Sequence, residues 1–420
     1  MQPATAVIIG AGQRGQGYAF YAMVEPKKFQ VVGVAEPIQL LRDNMKEEYK
    51  IKDKNVFDSW EKVAALEERI ADIAIICTQD RMHKEPAIKL AEKGYHILLE
   101  KPMAVTYEDC SEIVDAIKKN GVLFGVCHVL RYYPQYRKIQ ELIQEGAIGE
   151  VCNIQHTEPV GFWHFAHSYV RGNWRKESES SCSLLAKCCH DLDLMTYWMG
   201  IDNPCTKISS FGSLMHFTKE NKPEKATDNC LTCPLSNDCA FSAQKIYVDR
   251  AKGGSFGWPT SVVTKTRDME DLMKQLETGP YGRCVYDCDN DVMSNQVVNM
   301  QFQNGATANV TMVGFTKRVC ARTTVISGTK GEITCDFSTP VRVFDFLTQQ
   351  TTEHNVGHGA PGKLGGHGGA DFHLIDTFIK AILANDQGII LAGPDETLLS
   401  HRLVFAAEQA RLENRVVDLD

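Results

Sequence analysis

The stretch VIIGAGQRGQGYAF constrains the fold most. It sets Gly10, Gly12 and Gly15 in a G-x-G-x-x-G spacing, directly after a β-branched run and at the head of a helical pattern. Gly10 permits a tight turn, Gly12 lets the backbone approach a pyrophosphate, and Gly15 lets helix and strand pack closely, with phosphates on the helix N-terminus. Gln13 and Arg14 lie between these glycines in the same cofactor-binding turn. Alone, the spacing is weak evidence. Glu36 strengthens it, because it ends the next strand twenty-one residues after Gly15, where a carboxylate accepts hydrogen bonds from an adenosine ribose. A carboxylate there repels a ribose 2′-phosphate, so the pattern favours NAD, while Arg42 nearby leaves NADP open.

Beyond that turn the chain alternates. TAVIIG, QVVGVAE, IADIAIICT, GYHILLEKP and GVLFGVCH are short β-branched runs separated by helical patterns, which predicts a parallel sheet covered on both faces. Thr106 with Asp109 resembles a capping box opening a helix, and Asn120-Gly121 closes it. After His128 the texture changes: NQVVNMQFQ, ATANVTMVGF, ARTTVISG and EITCDF read as antiparallel strands across turn-like Gly or Asn. The expected fold class is α/β. It has an N-terminal Rossmann dinucleotide-binding domain over 1–128. Residues 129–420 form an α+β domain for substrate binding and oligomerisation, built on a large open, mostly antiparallel sheet. A Cys-rich insertion is expected at about 218–290. Thr218 to Asn290 and His354 to Ala370 read as loop-rich. The second tract holds GHGAPGKLGGHGGAD, seven glycines in fifteen residues, either a flexible lid or backbone folded closely around something. His367 and Asp371 within it are placed to close over a site.

Composition narrows the partners. At 420 residues the chain exceeds a comfortable single core, in keeping with two domains. A net charge of -8 with no basic run argues against nucleic acid. The longest apolar runs, such as VLFGVCHVL, are strand-sized and far short of a membrane span. No signal peptide precedes the first strand, and fifteen cysteines without one read as reduced thiols, so a cytoplasmic setting is expected.

Two clusters invite chemistry. In LLAKCCHDLDLM, Leu184, Cys188, Leu192, Met195 and Met199 fall on one helical stripe, the core face. His190 lies nearly opposite with Ala186 and Asp193, and Lys187 and Asp191 sit at the margin. The thiols and the imidazole therefore do not converge on one ion, and a solvent-facing or hydrogen-bonded histidine is the plain alternative to a reactive one. The second cluster, Cys230-x2-Cys233-x5-Cys239 with Cys284 and Cys288 further on, has the look of a structural zinc or similar thiolate site. Cys284 is the fourth ligand by default, and free thiols are the competing reading.

LLEKPMA supplies the remaining clue. Glu100-Lys101-Pro102 follows a strand of the first domain and is preceded by CTQDRMH, with Thr78 and His83 in a strand-to-loop setting. With the glycine motif, a helix bearing His near residue 190 and a C-terminal open sheet, the chain resembles the Gfo/Idh/MocA family of glucose–fructose oxidoreductase and inositol dehydrogenase relatives. The resemblance implies cofactor contacts from Thr78, His83, Glu100 and Lys101, with Lys101 beside the nicotinamide ribose and the substrate. It implies that His190 is the general base that takes a hydroxyl proton as hydride leaves the same carbon, and that Lys101 hydrogen-bonds that oxygen. The family's aspartate falls at Ala186 here. Lys187, one position on, then supplies a different charge, and Asp193 is placed to orient the imidazole. Oligomerisation through the sheet face is implied as well.

GFWHFAHSYVRGNWRK crowds His164, His167, Arg171 and Trp174 just before the His190 helix, and aromatic faces with forked donors suit polyhydroxylated rings. His128 and Arg131 in CHVLRYYP are further pocket walls. The expected activity is NAD(P)-dependent hydride transfer at a secondary hydroxyl carbon of a sugar, sugar derivative or cyclitol. The alternative is an NAD-dependent glycosidase that oxidises a ring transiently, eliminates, adds water and reduces again. A non-catalytic dinucleotide sensor is the third reading.

Overall fold

The computed structural model describes residues 2–337, 339–357 and 359–419. Its first half holds a six-stranded sheet of β1 (Ala4–Ile9), β2 (Phe29–Ala35), β3 (Val56–Phe57), β4 (Ile73–Ile76), β5 (His96–Leu99) and β6 (Phe124–Val126). The strands run in the order β3-β2-β1-β4-β5-β6 and every pairing is parallel. Residues such as Ile73, Ala74, Ile75 and Ile76 are all buried, as a sheet covered on both faces demands. The strand order reverses between β1 and β4, which opens a crevice at their carboxyl ends. The Tyr107–Asn120 helix starts where the sequence marks it: Thr106 Oγ1 accepts the Asp109 N–H at 3.1 Å, and Gly121 closes it at φ 63°.

The second sheet has nine strands: β7 (Val151–Pro159), β8 (Cys205–Ser213), β9 (Asn295–Phe302), β10 (Thr307–Val313), β11 (Thr323–Gly328), β12 (Gly331–Asp336), β13 (Val341–Asp345), β14 (Thr351–His354) and β15 (Val417–Asp418). Their order is β14-β13-β12-β11-β7-β10-β9-β8-β15. All pairs are antiparallel except β7 with β10, so the sheet is mixed. Along β9, β10 and β11 buried and half-exposed residues alternate, the mark of a sheet packed on one face.

The Ser183–Met199 helix packs between that covered face and the Pro394–Glu413 helix, which itself reaches the Tyr107–Asn120 helix of the first half. Consequently it has no solvent face. Ala186, His190, Asp191 and Asp193 are as buried as Leu184 and Leu192, which corrects the expectation that only the leucine stripe packs. The tract 218–290 is also less loop-like than its composition suggests: it contains helical turns at Gln244–Val248 and Asp249–Lys252 and a helix at Met269–Thr278, whose Asp268 caps the Asp271 N–H. Among the described residues no helix is long and apolar enough to cross a membrane.

Candidate functional site

The glycine turn follows β1 directly, with Gly10 at φ 90°. A Cβ at Gly15 would stand 2.0 Å from the Gly10 carbonyl oxygen, so only glycine allows this helix to sit on this strand. A Cβ at Gly12 would meet nothing within 4 Å, which leaves the backbone open to a ligand on that side. Glu36, at the end of β2, turns its carboxylate into the turn: Oε2 accepts the Ala11 N–H at 2.7 Å and Oε1 the Ile38 N–H at 2.9 Å. Arg42 donates to the backbone oxygen atoms of Glu36 and Pro37. Gln13 Nε2 donates to Ser261 Oγ at 2.9 Å, so the insertion of the second half touches the glycine turn.

Arg14 binds three partners. Its Nε meets Glu100 Oε1 at 2.5 Å, Nη1 and Nη2 meet the two carboxylate oxygens of Asp371 at 2.9 and 3.1 Å, and Nη2 also donates to the Tyr18 hydroxyl. Burial works against ionisation of Asp371, yet Arg14 and then His367 outweigh it and hold the carboxyl well below the usual carboxylate range. Asp371, placed by its sequence to close over a site, is thereby anchored to the helix that follows the glycine turn.

Lys101 begins the loop after β5, and its Nζ donates to the Ala186 carbonyl oxygen at 2.6 Å. The position where the family resemblance calls for an aspartate thus contributes a backbone carbonyl. Lys101 Nζ also lies 5.8 Å from the centre of the Trp174 ring, whose Nε1 donates to Asp80 at 3.1 Å. His190 is buried nearby, and its Nδ1 has no hydrogen-bond partner among the described residues. Burial, then the charge of Lys101, pushes its pKa well below that of a free imidazole. Its ring centre is 5.7 Å from that of His128 and 5.9 Å from that of His367. His128 in turn stands 5.4 Å from His401, which accepts the Met103 N–H. His401 belongs to this row although no motif marks it.

Other expected residues take different places. Lys187 is engaged in a buried network, with Nζ 3.0 Å from Cys320 Sγ and 3.4 Å from Glu158, while Arg322 bridges Glu158 and Asp191 at 2.9 and 2.5 Å. Burial opposes its charge, but Cys320 and Glu158 more than offset that and raise its pKa, so Lys187 holds its proton and is no base. Asp193 does not orient His190, because both its oxygens face Arg131, at 2.7 and 2.8 Å. Arg131 is therefore committed to Asp193 and the Leu391 carbonyl rather than open to a ligand. His83 is enclosed, with Nδ1 2.7 Å from the Pro102 oxygen and Nε2 3.2 Å from the Thr78 oxygen, so it braces two loops and does not face a cofactor. Thr78 Oγ1 donates to Met82 O.

His164 and His167 join an aromatic group with Trp258, their ring centres 4.8 and 5.7 Å from its own. Arg171 points away from it into the insertion, donating to the carbonyl oxygens of Arg283 and Phe241 and to Cys230 Sγ, which corrects its expected contact with substrate. Cys230, Cys233, Cys239 and Cys284 do line one cavity of about 30 Å³ beside Arg171. Even so, among the described residues no three His, Cys, Asp or Glu side chains stand together as a metal site, so the expected zinc ligand set is not assembled; all fifteen cysteines are free thiols.

Residues 4–128 match a Gfo/Idh/MocA domain described as an oxidoreductase family NAD-binding Rossmann fold, and residues 140–246 match that family's C-terminal alpha/beta domain. Between them these matches cover more than half of the chain. The 2,7-anhydro-N-acetylneuraminate hydratase of Escherichia coli is 35% identical over 153 residues, 36% of this chain and 40% of that protein. The levoglucosan dehydrogenase of Pseudarthrobacter phenanthrenivorans is 30% identical over 125 residues, 30% of this chain and 32% of that protein. The aligned stretches thus span well under half the length of these two relatives. A solved levoglucosan dehydrogenase in complex with NADH and levoglucosan shares the fold, with a TM-score of 0.72 over 99% of both chains at 18% identity. From the glycine turn through the Lys101 loop to the mixed sheet, the chain belongs to the Gfo/Idh/MocA oxidoreductase family.

Proposed function

We propose that the protein transfers hydride between NAD and a secondary hydroxyl carbon of a sugar, sugar derivative or cyclitol. The observation that carries this reading is the pairing of Lys101, fixed on the Ala186 carbonyl, with a buried His190 whose Nδ1 has no partner among the described residues. NAD, when bound, supplies the hydride acceptor. A general base must be neutral to accept a proton, and burial together with the Lys101 charge keeps His190 so. No carboxylate occupies position 186 to neutralise Lys101, so its charge acts on the imidazole and on a developing alkoxide alike. Trp174 and His128 flank the pair. NAD is favoured over NADP because the Glu36 carboxylate stands at the end of β2 against the glycine turn, where it would repel a ribose 2′-phosphate, while Arg42 is tied to main-chain oxygens. A second reading, redox-neutral elimination and hydration, is supported by the His367–Asp371 pair beside His190.

The test is incubation with NAD and a panel of sugars, cyclitols, anhydro-sugars and aryl glycosides, following NADH absorbance and product release in parallel. Net NADH is the expected result. Product without net NADH points to the redox-neutral reading, and silence with cofactor bound overturns both. His190→Ala is expected to slow the chemical step by about 10²–10⁴-fold while leaving NAD affinity unchanged; equal losses in both would make the residue structural.

A further inference from the structure

We infer that Cys230, Cys233, Cys239 and Cys284 ligate an iron–sulfur cluster inside the insertion, with Arg171 and Ser242 donating hydrogen bonds to its sulfurs. The inference stands apart from the hydride chemistry and does not depend on the sugar reading. Three of the cysteines lie on one tightly turned stretch. Cys233 N–H donates to the Cys230 carbonyl at 3.4 Å, Cys239 N–H to that of Leu235 at 2.9 Å, and Ser242 N–H to that of Cys239 at 3.4 Å. The fourth comes from far along the chain. Cys230 N–H donates to the Gly282 oxygen and Cys284 N–H to the Asp228 oxygen, both at 2.8 Å, which clips the two segments side by side. A Cβ at Gly282 would stand 1.7 Å from the Leu276 oxygen, so only glycine lets the chain pass there.

The fold thus brings four thiols to the cavity beside Arg171. The centre of a water-sized sphere has about 30 Å³ there, about two to three times what one water needs, so the space suits a group of several atoms. Two buried donors in its wall are unsatisfied. Arg171 is fully buried, and its partners are two carbonyl oxygens and the Cys230 thiol, none of which carries a charge. Its Nη1 has no hydrogen-bond partner among the described residues, and the Tyr247 hydroxyl beside it is held by His167 Nδ1 at 2.8 Å. Ser242 is fully buried as well, and its Oγ has no partner among the described residues. A buried cation and a buried hydroxyl each cost free energy unless something accepts from them, and here the group that meets both is an anion. Neutral thiols do not supply the charge. Metal ligation does, because each thiol gives up its proton to solvent and the assembly becomes anionic.

Spacing selects the kind of metal group. A single tetrahedral zinc holds each sulfur at about 2.3 Å and needs them to converge, and among the described residues no three of these thiols do. Thiols that surround a cavity without converging suit a cluster of iron and inorganic sulfide, whose ligands are shared among several irons. The order along the chain agrees. C-x2-C-x5-C with one remote cysteine gives three ligands in a short run and a fourth brought in by the fold, as in plant-type iron–sulfur spacing, whereas structural zinc is commonly held by two close pairs. Cys288 is outside the set, because its Sγ donates to the Cys284 carbonyl at 3.2 Å. Through Arg171, which binds the Arg283 and Phe241 carbonyls, the cluster fastens the insertion to the segment that carries His164 and His167.

The experiment uses the full chain, expressed with added iron, purified without oxygen and then treated with ferrous iron and sulfide. Iron, acid-labile sulfide and zinc are counted per chain, and electron paramagnetic resonance is recorded after reduction with dithionite. Wild type is expected to hold iron and sulfide in equal amounts, about two to four of each per chain, and to give a signal on reduction. Cys233→Ser, Cys239→Ser and Cys284→Ser are each expected to lower both counts by about 10-fold or more, while Cys288→Ser retains them. Arg171→Gln is expected to shift the midpoint potential to more negative values, since a positive charge and N–H donors are lost; an unchanged potential removes Arg171 from the assignment. Zinc at about one per chain that iron and sulfide do not displace overturns the cluster, as does a chain that takes up neither metal. Iron undiminished in all three ligand variants marks it as adventitious and overturns the cluster too. If those variants do not fold, the wild-type counts and the Arg171→Gln potential decide the matter.

Discussion

Five imidazoles, those of His128, His164, His167, His190 and His401, are buried, and burial in each case lowers the pKa below that of a free histidine; His128 falls to about 4 and His167 and His401 to about 3. The unfolded chain binds protons at these positions from about pH 6.5 downward, while the folded chain does not. Their contribution to stability is therefore present above pH 6.5 and is lost as the pH falls towards 4. For His128, His167 and His401 the cost is about 2 kcal/mol each by pH 5, at about 1.4 kcal/mol per unit, and His164 and His190 act in the same direction. The denaturation midpoint is expected to drop steeply between pH 6.5 and 5; a flat profile would show that these rings are hydrated. Lys101 and His190 are legible from short motifs because chemistry fixes their type. The partners that set their behaviour are not: Ala186 acts through a carbonyl every residue has, and Asp371 meets Arg14 across 357 positions.

Local signals identify most elements of the first half, since glycines, caps and β-branched runs act over a few residues. They mislead where cover is decided from afar. The stripe of the Ser183–Met199 helix gives its phase correctly, but whether the opposite face meets water depends on the Pro394–Glu413 helix, which periodicity cannot see. In the 218–290 tract the Asp268 cap is visible in sequence, whereas the single turn Thr260–Val263 is too short to announce itself. That turn carries Ser261 onto Gln13, a hydrogen bond between the insertion and the glycine turn. Ser261→Ala is expected to speed release of NAD by about 2- to 10-fold, the worth of one such bond, with the melting temperature unchanged. Stopped-flow fluorescence of the bound nucleotide checks it, and an unchanged release rate would confine the contact to a surface embellishment.

The molecule as a whole joins a parallel sheet, whose order follows from alternation, to a mixed sheet whose one parallel pair, β7 with β10, brings together strands far apart in sequence. The outer face of that second sheet exposes Phe211 on β8 and Phe344 on β13, each directly after a buried residue. We propose this face as the surface through which copies of the chain associate. Light scattering is expected to find a homo-oligomer that Phe211→Glu shifts towards the monomer; a monomeric wild type would refute it. Arg14 has a wider bearing. One guanidinium, carried by the helix that follows the glycine turn, holds both the carboxylate preceding Lys101 and Asp371, just beyond His367 in the glycine-rich tract. Any replacement at that position therefore unfastens the Lys101 loop and the glycine-rich tract together, because the two share one anchor.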